Sequence, residues 1–477
     1  MTTTSRRTAI GVGATSALAG LTWATGSRAS AEPEPDQPAG RRPNIVFLLI
    51  DDMGYGDLSI TGNSLVRTLN LDRLGTEGML MTQCYDASPI CSPSRAGLLT
   101  GQYPARNRIV TFLATREHNA RAGQADWLDP DVPTLPRALR DAGYATGHFG
   151  KWHLGGGRDV GDAPWPAAYG FDESYTQFEG LGPRVVPNDT DAGLAAASIA
   201  LGQGPIDQLP KSAITERFVD KAIDFVERHR DRPWFLQLWP GDVHSQWVPS
   251  AAQLEQVAGL GRTPEEERFL AVLVALDAEV GRLTRALDDL GLLDDTLIVC
   301  TSDNGPTAGD NRPGSAGPYR GRKGSLYEGG IRQPLLVRWP GQVPAGHRDD
   351  RTVGHAVDLA PTLAEAAGVP LPGRGDGISL LPAWRGRPIT ERPALFWTFG
   401  AFREPDQVPA NASPSFAIRS GSWKLLAESD GRDPELYDLA TDPGETTNVT
   451  DRHPQVTSAL VARLESWRRP LPIKIAH

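Results

Sequence analysis

Residues 44–57 read NIVFLLIDDMGYGD. From Ile45 to Ile50 every side chain is apolar; then two acids arrive together, followed by glycines at 54 and 56. The segment before it, AEPEPDQPAGRRP (31–43), is proline-rich and polar. A short apolar run bounded by turn residues is the pattern of a strand buried on both faces, as in a parallel sheet. Comparable runs recur at 233–239 (PWFLQLW), 296–305 (TLIVCTSDNG) and 334–341 (PLLVRWPG). Amphipathic helical patterns at 134–144, 216–231 and 266–291 lie between them. Strands alternating with helices predict a doubly wound α/β domain, whose ligands bind beyond the carboxyl ends of the strands. Asp51-Asp52 and Asp303-Asn304 end two such strands.

A chain of 477 residues exceeds what one core normally supports, and 39% apolar content is ample for a large domain and a smaller one. After residue 385 the pattern changes to short strands (394–400, 415–428, 434–445) and a closing helix at 453–469. The expected organisation is 1–31 export signal, 32–43 linker, 44–385 a large α/β domain with a mostly parallel sheet, and 386–477 a small α+β subdomain with an antiparallel sheet. The net charge of −10 excludes a nucleic-acid partner held by a basic surface. The N-terminus carries Arg6-Arg7, a mildly apolar stretch and Ala29-Ser30-Ala31 as a cleavage site, a twin-arginine-like export signal. Its removal deletes three arginines and no acid, taking the charge from −10 to −13. No later run is long enough to span a bilayer, so an exported chain without stable membrane insertion is expected. Cys84, Cys91 and Cys300 have no metal-ligand spacing and no disulfide framework. With Cys91 functional, Cys84 and Cys300 could pair, but two buried free thiols are the expectation.

Cys91 opens CSPSRAGLLTG (91–101). Proline suits the first helical position and serine the cap before it, so Cys91 belongs at or beside a helix N-terminus. The helix dipole there lowers a thiol pKa and favours a bound oxyanion. Arg95 falls on the same face one turn on, and Gly101 is a plausible stop. The two strand-end pairs offer oxygen only, which suits a hard divalent cation; zinc would be expected to recruit His or Cys. In GKWHLGGG (150–157) a cation at Lys151 and a titrating imidazole at His153 suit an anion site with proton transfer. In an extended segment, alternation places both on one face. His244 in DVHSQWVP (242–249) follows a buried strand, again near a carboxyl end. Lys323 in YRGRKGSLYEGGIRQP (319–334) lies with Arg320 and Arg322 in the local basic island that an acidic enzyme acting on an anion requires.

These residues match a family. Cys91-Ser92-Pro93-Ser94-Arg95 with Gly101 resembles the signature of type I sulfatases, and NIVFLLIDDMGYGD, GKWHLG, SDNG and GRKGSLYEGG resemble that family's other blocks in the same order, over residues 44 to about 450. The resemblance implies an alkaline-phosphatase-like catalytic domain over 44–385, and that Cys91 is oxidised to formylglycine by a formylglycine-generating enzyme. The hydrated aldehyde then supplies one hydroxyl to attack sulfur and a second that lets the sulfate ester collapse without a further attack by water. It implies Ca2+, with Mg2+ as the alternative, held by Asp51, Asp52, Asp303 and Asn304 together with the modified residue 91. Arg95 would hold the formylglycine hydroxyl, Lys151 and Lys323 would grip sulfate oxygens, His153 would be the base for elimination, and His244, with Lys323, the acid for the leaving oxygen.

The expected function is hydrolysis of sulfate monoesters of aryl or carbohydrate substrates. The competing readings are a phosphomonoester or phosphonate hydrolase on the same sheet and a non-catalytic carbohydrate-binding relative. A Cys-dependent phosphatase does not fit, because its Cys-x5-Arg loop is not matched by Cys91 and Arg95. Val243 stands where the family has proline before the histidine, and Trp247 beside it is a candidate for stacking on a sugar or aryl group. Specificity is expected in loops 103–130, 155–210 and 400–415. RKGSLYEGGIRQP leans towards arylsulfatase A and the galactosamine-6-sulfatases.

Overall fold

The run at 44–50 forms a central strand. In the computed structural model, which describes residues 42–473 apart from 191, 310, 374, 390 and 400–411, β1 (Asn44–Ile50) is buried throughout. Ile45, Phe47 and Leu49 enter one apolar cluster, and Val46, Leu48 and Ile50 enter another on the opposite face. Strand side chains alternate between faces, so a strand covered on both sides needs apolar residues at every position. The export-signal and linker segments, except for residues 42 and 43, lie outside the described residues, as does most of loop 400–415.

Among the described residues, β1 is joined in one sheet by β2 (Met79–Tyr85), β3 (Ala145–Lys151), β4 (Glu173–Gln177), β5 (Arg184–Pro187), β6 (Ile206–Leu209), β7 (Trp234–Trp239), β8 (Thr296–Ser302), β9 (Arg332–Arg338), β10 (His347–Asp349) and β11 (Gly354–His355). The order is β10-β2-β9-β8-β1-β7-β3-β4-β5-β6, with β11 beside β2. From β8 to β6 every pairing is parallel. β9 is antiparallel to both β8 and β2, which corrects the expectation that the run at 334–341 belonged to the parallel set. A parallel return needs a crossover across a sheet face. The segment after β8 instead stays at the carboxyl edge, where it carries Lys323, and its last helix is only Glu328–Ile331, so β9 re-enters from that edge. Helices Leu69–Thr76, Ile214–His229 and Pro264–Asp289 cover one face. Cys91–Thr100, Leu135–Asp141 and Ala356–Ala366 cover the other.

A second, antiparallel sheet follows in chain order: β12 (Leu395–Thr398), β13 (Phe416–Ser420), β14 (Trp423–Ala427) and β15 (Glu435–Asp438). Helix Pro454–Arg468 buries Leu460 and Leu464 against it. The two sheets share a core in which Leu326, Tyr327 and Ile331 meet Trp397, Leu426 and Tyr437. Beside that core lies a buried ionic knot: Lys424 Nζ sits 2.9 Å from both Glu328 Oε1 and Glu445 Oε1, all three side chains fully buried. The Tyr85 hydroxyl donates to Glu328 Oε2 at 2.5 Å. The second sheet thus grips the segment that carries Lys323. Cys84 and Cys300 are buried free thiols. No helix among the described residues is long and apolar enough to cross a membrane.

Candidate active site

β1 and β8 are neighbours in a register that pairs Ile50 with Ser302. Asp51-Asp52 and Asp303-Asn304 therefore leave the sheet side by side at its carboxyl edge. The Ser302 hydroxyl reaches the carbonyls of Ile50 and Asn304, both at 2.9 Å, and fixes the two exits. Asp52 turns with φ 61°, and its N–H donates to Asp303 Oδ1 at 3.1 Å. From the other end, β2 leads to helix Cys91–Thr100, which Gly101 stops in a left-handed conformation. Cys91 is the first helical residue and Ile90 the cap. Pro93 is thus third in the helix instead of first, a shift that keeps Cys91 at the dipole's positive end.

Arg95 projects from the next turn into this edge. Its guanidinium meets Asp303 Oδ2 through Nη2 at 2.7 Å and Nε at 3.0 Å, Asp51 Oδ1 at 3.3 Å and the Lys151 carbonyl at 2.8 Å, and it lies over the Trp239 ring. Lys151 ends β3 and places Nζ 2.6 Å from Asp51 Oδ2. Lys323 places Nζ 2.6 and 2.8 Å from the two Asp52 oxygens. Asn304 Nδ2 donates to Asp52 Oδ1 at 2.8 Å, and His244 Nε2 stands 3.7 Å from Asp52 Oδ2. Three buried acids thus face three cations around the cysteine. Cys91 Sγ lies within 4.8 Å of oxygens of Asp51 and Asp303. Asp51 Oδ1 and Asn304 Oδ1 are buried yet accept no hydrogen bond. Unsatisfied buried acceptors are rare; Asn304 Oδ1, with Asp51 Oδ1 met only by the ion pair to Arg95 at 3.3 Å, suits a divalent cation held by hard oxygen donors.

Lys151 and His153 do reach the same cavity, while Trp152 between them is buried in the core below. Alternation along a strand is only part of the cause, since β3 ends at Lys151 and His153 adopts φ 53°. His153 Nε2 is 3.1 Å from the Leu113 carbonyl, which fixes the proton on Nε2. Nδ1 is left buried and unpartnered. Burial, with Lys151 and Arg95 nearby, holds His153 well below the usual imidazole range. His244 is lowered by burial to about 4, although Asp52 opposes the shift. Burial raises Asp51, but Lys151, His244 and Arg95 outweigh it and leave the carboxyl well below its usual value. Asp303 is pushed up to about 6 by burial and by Asp51. Burial also raises the Cys91 thiol, although Lys151 and Lys323 oppose it. This corrects the expectation of a lowered thiol: desolvation, with Asp51 and Asp303 beside it, outweighs the two lysines.

Asp51, Cys91, Lys151, His153, His244 and Lys323 floor a cavity of about 460 Å³. Arg320 and Arg322 do not join it. Arg322 donates to the carbonyls of residues 307, 312, 313 and 314, and Arg320 lies over Tyr327. The basic island is assembled from Arg95, Lys151 and Lys323, far apart in sequence. Trp247 also lies outside the cavity. It is buried against Phe269, and its indole N–H donates to the Val243 carbonyl at 2.6 Å. The aromatic residues at the cavity are instead Phe112 and Phe178. Lys211, unmarked in the sequence by any motif, is buried in the wall and donates to the His244 carbonyl at 2.7 Å. Glu179, 3.8 Å from His153 Nε2 and paired with Arg158, lies in the loop assigned to specificity.

The sheet, its helical layers and a site at the carboxyl edge define an alkaline-phosphatase-like α/β hydrolase. The sulfatase family model matches residues 43–369, and the model for the C-terminal part of N-sulphoglucosamine sulphohydrolase matches 320–469. Human arylsulfatase A is 34% identical over 88% of this chain and 86% of its own length. Mouse steryl-sulfatase is 32% identical over 94% and 86%. The solved structure of Ps i-CgsB in complex with k-i-k-neocarrahexaose superposes with a TM-score of 0.76 at 27% identity, covering 90% of this chain and 93% of the other. The chain belongs to the sulfatase family and is an enzyme that hydrolyses sulfate esters.

Proposed function

We propose that the chain cleaves sulfate monoesters with residue 91 as formylglycine and a Ca2+ ion held by Asp51, Asp52, Asp303, Asn304 and the modified residue 91. The observation that carries the reading is the meeting of the Cys91 side chain, the oxygens of Asp51, Asp303 and Asn304, and the cations Arg95, Lys151 and Lys323 at one point of the sheet edge. A hydrated formylglycine supplies geminal hydroxyls, one to attack sulfur and one whose deprotonation restores the aldehyde, and a bound divalent cation supplies positive charge that favours the deprotonated hydroxyl and the sulfate anion.

The chain's own groups then have distinct tasks. Arg95 neutralises Asp303 and Asp51 and holds the edge of the site rigid through its bond to the Lys151 carbonyl. Lys151 and Lys323 bind sulfate oxygens and stabilise the charge that develops on them. His153, neutral and with Nδ1 unpartnered, accepts the proton that elimination releases. Lys323, whose pKa Asp52 raises despite burial, is the protonated group for the leaving oxygen, with His244 beside it. The buried, raised thiol of Cys91 is unsuited to act as a thiolate, which favours a residue that is converted.

Residues 1–31 fit an export signal of the twin-arginine type, a route that passes folded and already modified chains. We assign catalysis to residues 44–385 and a supporting role to 386–477. Production with and without a formylglycine-generating enzyme, followed by peptide mass spectrometry and assay with p-nitrophenyl sulfate, tests the reading. Sulfate release only from protein whose residue 91 carries the aldehyde is expected. Equal release from the thiol form would overturn it.

A further inference from the structure

His244 stands on a segment that takes no support from the sheet. Residues 240–250 form neither helix nor strand, and among the described residues no backbone-to-backbone hydrogen bond involves 243–249. The carbonyls of this segment find side-chain donors instead, at four consecutive positions. The Trp247 indole donates to the Val243 carbonyl at 2.6 Å, and His244 Nδ1 donates to the Ser245 carbonyl; both bonds lie within the segment. The carbonyls on either side of Ser245, those of His244 and Gln246, accept from a single ammonium, Lys211 Nζ, at 2.7 and 2.5 Å. Lys211 thus brackets Ser245 and ties the segment to the body of the fold.

The anchor itself is firmly seated. Lys211 follows β6 closely and opens the short turn Lys211–Ala213, which leads into helix Ile214–His229. Its N–H donates to Asp189 Oδ1 at 2.9 Å, and Phe218 and Phe225 of the helix pack into the apolar layer on the sheet. Burial lowers the Lys211 pKa to about 8, although Asp242 opposes the shift, so the ammonium is present at pH 7. Asp242 itself accepts from the Thr215 hydroxyl. The ammonium therefore gives up its hydration for charge-assisted bonds to two neutral carbonyls. Those bonds fix the backbone of His244, and the bond from Nδ1 fixes its ring. Nε2 is left 3.7 Å from Asp52 Oδ2, the oxygen that Lys323 Nζ meets at 2.8 Å. His244 and Lys323 are thereby brought to the same point of the cavity.

We infer that Lys211 is a positioning residue for the leaving-group end of the site: it touches no reacting atom and acts by holding the carbonyls of His244 and Gln246. The inference rests on the reading that places Lys323 and His244 at the leaving oxygen, and its test separates the two. Formylglycine-bearing enzyme, checked by peptide mass, is assayed with p-nitrophenyl sulfate, whose alcohol leaves readily, and with phenyl sulfate, whose alcohol leaves poorly. Both rates scale with the folded, modified fraction, so their ratio is blind to partial misfolding. Lys211→Met should lower kcat about thirtyfold for phenyl sulfate and about threefold for p-nitrophenyl sulfate, with KM moved less than about twofold, as a displaced proton-transfer group predicts. Lys211→Gln, which keeps a donor without the charge, should shift the ratio the same way by less, and it decides the matter if the methionine variant does not fold. His244→Ala should shift the ratio at least as far, and adding Lys211→Met to it should cost little more. A ratio unmoved in the Lys211 variants, or full additivity with His244→Ala, overturns the inference. An unmoved ratio in His244→Ala overturns the placement of His244 at the leaving oxygen. NMR of the thiol form carrying isotope-labelled histidine then decides the positioning by itself. The His244 resonance, identified by its loss in His244→Ala, should shift in the Lys211 variants; a resonance that stays in place overturns the inference.

Discussion

Replacing Lys424 by methionine removes the ammonium that pairs with both buried glutamates. In the wild type its ammonium lies 2.9 Å from Glu328 and 2.9 Å from Glu445, with no solvent access to any of the three. Deleting one partner of a buried ion pair costs about 3–5 kcal/mol, because a charge is left uncompensated. Two features reduce that figure here. Glu328 keeps Arg332 at 3.2 Å and the Tyr85 hydroxyl. Glu445, which burial pushes up to about 7, can take a proton near neutrality at little cost. The expected loss for Lys424→Met is therefore about 2–4 kcal/mol in urea unfolding at pH 8. A carboxyl whose folded pKa exceeds its unfolded value binds more protons folded than unfolded between the two, so stability falls as pH rises through that window. For wild type the window runs from the ordinary glutamate value of 4.5 to about 7. Without the lysine its upper end moves higher, so the deficit of the variant shrinks when unfolding is measured at pH 5. Adding Glu445→Gln should recover at least about 1 kcal/mol at pH 8 as a coupling energy. A deficit under about 1 kcal/mol at pH 8, or one that neither acid nor the second substitution relieves, would refute the argument that the knot is held by opposed charge.

Cys91→Ser should bind sulfate esters but release no sulfate over repeated turnovers, since serine has no second hydroxyl; steady-state sulfate detection checks this. Dialysis against a chelator should abolish activity and Ca2+ should restore it. Asp51→Asn and Asp303→Asn should each weaken Ca2+ binding by calorimetry at least tenfold, because each removes a charged oxygen from the set that surrounds Cys91. Trp247→Leu should lower stability by about 1–3 kcal/mol, in the range for a truncated core aromatic that keeps part of its volume, while leaving the ratio of kcat/KM between aryl and sugar sulfates unchanged. A shifted ratio would return Trp247 to the substrate site.

Much of the architecture is legible in short runs. The apolar stretch of β1 predicts burial on both faces because alternation leaves no solvent side, and Ile45 and Val46 indeed point into opposite clusters. The direction of β9 is not legible in that way, since its apolar run at 335–337 (LLV) looks the same in either direction. What reverses it is that the preceding segment remains at the sheet edge. In the site, Asp51, Asp52, Asp303 and Asn304 could be picked out as a set: either pair alone reads as a cap or a solvated turn, but two oxygen-bearing pairs ending two strands, with a cysteine at a helix start, point to one site. Lys211 and Phe178 could not: nothing about a lysine after a proline, or a phenylalanine inside a long loop, marks it as facing a cavity. Trp247 shows the converse, an aromatic residue beside a functional histidine that is spent on packing against Phe269.

The sequence by itself determined which chemistry the chain carries: oxygen donors at strand ends, a cysteine at a helix start, and an arginine one turn later, all set by local periodicity and turn residues. Tertiary structure decided which groups meet and in what charge state. Arg320 and Arg322, neighbours of Lys323 in the chain, turn away to backbone carbonyls and Tyr327, while Arg95 and Lys151 converge from a helix and from another strand. The thiol of Cys91 rises instead of falling because burial is a property of the packed edge, not of the helix that begins there. The physical reason is common to all of these: local interactions fix backbone form within a few residues, whereas solvation and pairing depend on strands brought together from across the chain.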